Sequence, residues 1–115
     1  MISMAAQLPR NPVADVLARQ AVRCGTSVGA NYREALRATS RANFLARIKI
    51  VERELDECIY WIKLIEEAGF FPAAKLAELK READELLAVV ASIAKTTRER
   101  SPEQKPKAHA ANCKL

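Results

Sequence analysis

The chain is poor in the residues that usually carry chemistry. It has a single histidine, His109, and that lies close to the C-terminus. A histidine-based metal or catalytic centre is therefore not expected in the body of the chain, and the Glu-x-x-His pattern of di-iron bundles is absent. The three cysteines, Cys24, Cys58 and Cys113, are odd in number and lack metal-type spacing. Cys24 and Cys58 fall on apolar stripes and read as small buried hydrophobes, which fits a reducing cytoplasm. Aromatics make up only 5% of the residues, so no base-stacking platform stands out. No apolar run approaches the ~20 residues a membrane-crossing helix needs. The N-terminal MISMAAQLPR has neither the charged start nor the apolar middle of a signal peptide. No stretch alternates with the β period. The run CGTSVGAN lacks the Lys-Ser/Thr and preceding strand of a phosphate-binding loop.

What is present is helical patterning. Between Ser40 and Ala68 there is no Gly or Pro, and Phe44, Ile48, Val51, Leu55, Cys58, Ile62 and Ile65 recur at steps of three and four. That spacing lays seven side chains along one stripe of a helix roughly 40 Å long. Thr39 or Ser40 is the expected N-cap and Gly69 the C-terminal glycine. Before it, Asn11-Pro12 marks a helix start, with Asp15 in the first turn. Its stripe is Val13, Leu17, Ala21, Cys24, Val28 and Ala35. This helix must tolerate Gly25 and Gly29, each costing roughly 1 kcal/mol against alanine. Two glycines on one face admit either a close neighbour or a kink; a helix continuous to about residue 38 is favoured. After Gly69-Phe70-Phe71-Pro72, whose phenylalanines are expected to cap one end of the core, a third stripe runs Leu76, Leu79, Ala83, Leu86, Val90, Ile93. Residues 1–8 form at most a short helical stub with Ile2, Met4 and Leu8 as its apolar side, stopped by Pro9. The expected fold is thus all-α: an up-down antiparallel helical bundle of three long helices, near 12–38, 40–68 and 73–98, plus a truncated first helix. Residues 1–99 would be the bundle domain, and 100–115, with two prolines and no periodicity, a disordered basic tail.

Charge is unevenly placed on a chain of net +5. Residues 1–50 carry a net +6, residues 51–90 a net −5 and residues 91–115 a net +4. Such a division suits an anionic partner such as nucleic acid, or a basic face of one subunit meeting an acidic face of another, or simply solvated helix faces. Arg19 and Arg23, and then Arg33, Arg37 and Arg41, recur at four-residue steps and are expected to form basic ridges on the first long helix. With Lys105 and Lys107 of the tail they are the candidate phosphate contacts. Asn31 continues the apolar stripe, so it is expected to be at least partly buried and hydrogen-bonded to Glu34 or to a residue of the central helix. Glu34 is expected to be partly buried. Glu52, Glu54, Asp56 and Glu57 read mainly as a solvated face.

Several of these features occur together in one known family. Ser27-Val28-Gly29-Ala30-Asn31-Tyr32-Arg33-Glu34, then Phe44 after Ala42-Asn43, then Leu55-Asp56-Glu57, resemble the ordered signature of the four-helix-bundle proteins encoded in intervening sequences of large-subunit ribosomal RNA genes. The resemblance spans about residues 8–98. Ser27, Asn31, Glu34, Phe44, Leu55 and Glu57 are the positions that carry the motif. It implies an up-down four-helix bundle, often assembled as a ring-like homopentamer. It also implies similarity to the accessory protein of diversity-generating retroelements, a basic barrel that engages nucleic acid and a reverse transcriptase. No catalytic residue is associated with the family, so none is carried over. Members usually carry a full first helix before the turn seen here as Leu8-Pro9. This chain has seven residues there, so either that helix is a stub or the true start lies upstream. A stub leaves part of the apolar groove uncovered, and exposed apolar surface of that kind usually finds a partner.

The resulting expectation is a non-enzymatic, cytoplasmic, self-associating bundle, homo-oligomeric and pentameric by resemblance, that binds RNA or DNA through its basic helix. The alternative is a structural or protein-interaction module without a nucleic-acid role. No cofactor, metal, membrane or small-molecule substrate is expected.

Overall fold

The computed structural model describes residues 1–99, in the element order α1 (Ile2–Ala6), α2 (Pro12–Leu36), α3 (Arg41–Ala68) and α4 (Ala73–Glu99). Each long helix begins or ends where its local chemistry dictates. The Asn11 side chain accepts a hydrogen bond from the Ala14 N–H at 2.8 Å, and Pro12 follows as the first helical residue. The Ser40 hydroxyl accepts from the Asn43 N–H at 3.1 Å. α3 stops at Gly69, whose φ of 73° is one that side-chain-bearing residues rarely adopt. There the Phe70 N–H donates to the Ile65 carbonyl and the Gly69 N–H to that of Glu66, which is the Schellman pattern. Phe70 and Ile65 both pack in the core cluster at this end, completing the motif's apolar contact.

Two core clusters define the packing. One joins Ala14, Leu17 and Ala21 of α2 to Ile62 and Ile65 of α3 and Leu76 of α4, with Met4 and Leu8 from the N-terminal segment and Phe70 and Phe71 against it. The other joins Ala35 of α2 to Phe44, Ile48, Val51 and Leu55 of α3 and to Val90 and Ala94 of α4. The start of α2 therefore lies beside the end of α3 and the start of α4. The three long helices alternate in direction, as their four-residue connections require. α3 packs against both other long helices, and α1 lies on α2. All seven stripe residues predicted for α3 are buried.

Several expectations are corrected. α2 ends at Leu36, with Arg37 as its C-cap and Ser40 starting the next helix, so Arg41 belongs to α3 and not to the ridge on α2. Val13 is 59% exposed while Ala14 is buried: the Pro12 start places the first inward position one residue later. Ile2 is 62% exposed, and Met4, Ala5 and Leu8 make the contact of α1 instead. On α4, Leu86 is 46% exposed and its neighbour Leu87 packs on the core. α2 is continuous through both glycines. Gly25 is the close approach: a Cβ there would lie 3.0 Å from Met1 Cγ, so its neighbour is the N-terminal stub and not a long helix. A Cβ on Gly29 would meet nothing within 4 Å. The predicted tail, with Lys105, Lys107, His109 and Cys113, lies outside the described residues.

Candidate nucleic-acid interface

α2 and α3 form an antiparallel hairpin about Thr39, and residues roughly equidistant from that turn face one another. This register organises the charged side chains. Arg23 reaches across to α3 and donates to Glu54 at 3.4 Å and, by a shorter contact, to Glu57. It also donates to Gln20 at 2.9 Å and to Cys24 Sγ at 3.0 Å. Glu57 accepts a further bond from Trp61 Nε1 at 3.1 Å. The Trp61 bond, with help from Cys24 and Arg23, holds the Glu57 carboxyl below its ordinary value against the opposing effect of burial. Burial also works against the Arg23 guanidinium, but Cys24, Glu57 and Glu54 outweigh it and raise its pKa. Cys24, Glu54 and Glu57 bring a thiol and two carboxylates within 4.8 Å of one another. The cation at the centre of that group is the Arg23 guanidinium itself.

Below this cluster the two cysteines are buried and free. Burial pushes the Cys24 thiol up to about 12 and the Cys58 thiol up to about 11, which removes thiolate character at neutral pH.

Nearer the turn, Asn31 is half-buried. Its amide donates to the Ser27 carbonyl at 2.9 Å and to the Ser27 hydroxyl at 3.1 Å, and its carbonyl accepts from Arg47 Nη1 at 3.1 Å. The expected partner on the central helix is therefore Arg47. Glu34, expected to be partly buried, is exposed, because one residue before the inward-facing Ala35 it points outward. Of the family-motif positions, Phe44 and Leu55 are core, Ser27 and Asn31 bond each other, and Glu57 joins the arginine cluster.

The candidate arginines thus divide. Arg23 is engaged by two carboxylates. Arg41 is half-buried at the start of α3. Arg19, Arg33 and Arg37 are exposed. Arg19 and Arg37 are five full helical turns apart, so they point the same way along α2, roughly 27 Å from each other. Sequence reasoning missed Arg47 and the role of Glu54. Both could have been found by pairing residues across the Thr39 turn: Asn31 with Arg47, and Arg23 with Glu54.

The arrangement is that of an antiparallel helical bundle with a basic ridge along one helix and an arginine-centred ion cluster bridging two. No helix among the described residues is long and apolar enough to cross a membrane. The chain belongs to the 23S rRNA-intervening sequence protein family, whose model matches residues 1–92. A solved structure of a protein of unknown function from the S23 ribosomal protein family of Bacteroides thetaiotaomicron VPI-5482 is 34% identical. The match covers 70% of this chain and 74% of that one, with a TM-score of 0.68. None of the curated proteins matches.

Proposed function

We propose that this protein is a non-enzymatic, self-associating bundle of the cytoplasm that binds RNA or DNA through the outer ridge of α2. The observation that carries this reading is the alignment of exposed Arg19, Arg33 and Arg37 along one helix. Such a ridge places cations at intervals that a phosphate backbone can follow. One copy offers few such contacts, and several copies multiply them, so self-association and nucleic-acid affinity support one another. The family's link to ribosomal RNA genes agrees with an RNA-related role.

The alternative, an interaction module whose charges serve protein contacts, is favoured by the engagement of Arg23 with Glu54 and Glu57. Fluorescence anisotropy with single-stranded RNA and duplex DNA at low salt separates the two. The proposal expects binding to both with little sequence preference, and loss of binding in Arg19→Glu/Arg37→Glu with helicity unchanged. If wild type binds neither nucleic acid, or the double variant binds as well as wild type, the interaction-module reading replaces it.

A further inference from the structure

Two arginines bridge α2 and α3, and they are held in opposite ways. Arg23 is met by the carboxylates of Glu54 and Glu57, which cancel its charge within the fold. Arg47 is met by a neutral amide: its Nη1 donates to Asn31 Oδ1 at 3.1 Å. The orientation of that amide is fixed from behind. Asn31 Nδ2 donates to the Ser27 carbonyl at 2.9 Å and to the Ser27 hydroxyl at 3.1 Å. A carbonyl can only accept, so the amide nitrogen stays with Ser27 and the oxygen turns to α3. Arg47 is exposed and, among the described residues, makes no ion pair. Ser27 and Asn31 thus fix where the guanidinium sits while leaving its charge uncancelled.

Arg47 lines a groove of about 520 Å³ at the α2–α3 turn. Arg37, the last member of the α2 ridge, lines the same groove, and Thr39 and Asn43 add neutral hydrogen-bonding groups. Glu34 is the one carboxylate among the described residues that line it. Glu34 is exposed, so solvent screens it, and the two arginines outweigh it by one charge.

Resting on the nucleic-acid reading above, we propose that this groove holds one backbone phosphate of a single RNA strand, with Arg47 and Arg37 as its cationic contacts and Asn31 as the positioning residue for Arg47. The groove continues the α2 ridge at Arg37, so a strand following the ridge runs into it, which selects a strand phosphate over a free anion. An amide anchor lowers the cost of ordering a long side chain on binding and, unlike a carboxylate, does not compete with the phosphate for its charge.

The test is fluorescence anisotropy of the full chain with labelled single-stranded RNA at several salt concentrations, with helicity checked by circular dichroism. Arg47→Ala should weaken binding about tenfold at low salt, the loss of one charge-assisted contact. It should also reduce the magnitude of the salt slope by about 0.7 for every copy that touches the strand. Asn31→Ala keeps every charge, and alanine is the better helix former there. It should weaken binding about threefold, through lost pre-organisation, with the slope near that of wild type. In the Arg47→Ala background it should cause no further loss. Lys75→Ala removes the same charge near the start of α4, at the opposite end of the bundle, and should bind within about twofold of wild type. If wild type binds and Arg19→Glu/Arg37→Glu does not, yet Arg47→Ala binds as wild type, the groove is not used while the ridge stands. An equal loss in Lys75→Ala reduces the effect to net charge and overturns the groove. A loss in Asn31→Ala that adds fully to that of Arg47→Ala overturns the positioning role. Displacement of the RNA by inorganic phosphate at constant ionic strength assigns the groove to a free anion and overturns the strand reading. If wild type binds no RNA, groove and ridge fall together.

Discussion

Replacing Leu55 with alanine tests whether α3 organises the core. Leu55 is 4% exposed and packs in the cluster formed by Phe44, Ile48, Val51 and Val90. The substitution removes three carbons. At about 0.8 kcal/mol per buried methylene, the transfer term alone is roughly 2.4 kcal/mol. The void adds to this, because helices held on both sides by other packed residues collapse only partly, giving a total of about 3 kcal/mol. For a domain of this size each kcal/mol moves the melting midpoint by about 4–8 °C, so a fall of at least about 12 °C is expected. The assay is thermal melting followed by circular dichroism at one fixed protein concentration, since association shifts the midpoint. Leu86→Ala, on a residue 46% exposed, serves as the control and should cost about 1 kcal/mol or less. A shift below about 2 °C for Leu55→Ala, or equal shifts for the two variants, would refute the assignment of the core.

Other expectations follow from single positions. Gly29→Ala adds a Cβ where nothing lies within 4 Å, so in dilute protein it should stabilise α2 by up to about 1 kcal/mol; Gly25→Ala should gain less, because Met1 must shift, and paired melts compare them. Gly69→Ala forces alanine into a left-handed φ of 73° and should cost about 1 kcal/mol in a denaturant titration. In a Cys113→Ser background the two remaining thiols should resist alkylation at pH 8 in the native protein and react fully in urea. The same two thiols also set an alkaline limit. Their ordinary value is 9.0, and burial raises them to about 12 and about 11. The fold favours their neutral form, so this contribution is complete below pH 9 and is lost as pH rises from 9 toward 11–12, where the unfolded chain gives up its protons first. Stability that rises across that window would contradict the burial of Cys24 and Cys58.

The helical frame was legible because its signals are local. Asn11-Pro12, Ser40 and Gly69 act within one or two turns, and the α3 stripe needs only its own periodicity. What the sequence hid depended on which helix lies where. Both Val13 and Ala14 suit an inward position, and the Pro12 start decides between them. Likewise Leu86 and Leu87 differ only in which faces α3. The four-step run Arg33, Arg37, Arg41 keeps its spacing through the turn, so charge periodicity alone joins residues that the Ser40 cap divides. The Arg23 cluster depends on hairpin register, a long-range property. The position of Asn31 on the apolar stripe foretold its partial burial, but its partner, Arg47, lies sixteen residues away across the turn.

The salt dependence of RNA binding tests the functional account most directly. Anisotropy of labelled single-stranded RNA, measured from low to physiological salt, should give a logarithmic affinity that falls linearly with the logarithm of salt concentration. Arg19→Ala/Arg37→Ala should reduce the magnitude of that slope by about 1.4, two contacts at about 0.7 each, for every copy that touches the strand. An affinity independent of salt, or a slope unchanged by loss of both arginines, would contradict a phosphate-binding ridge on α2.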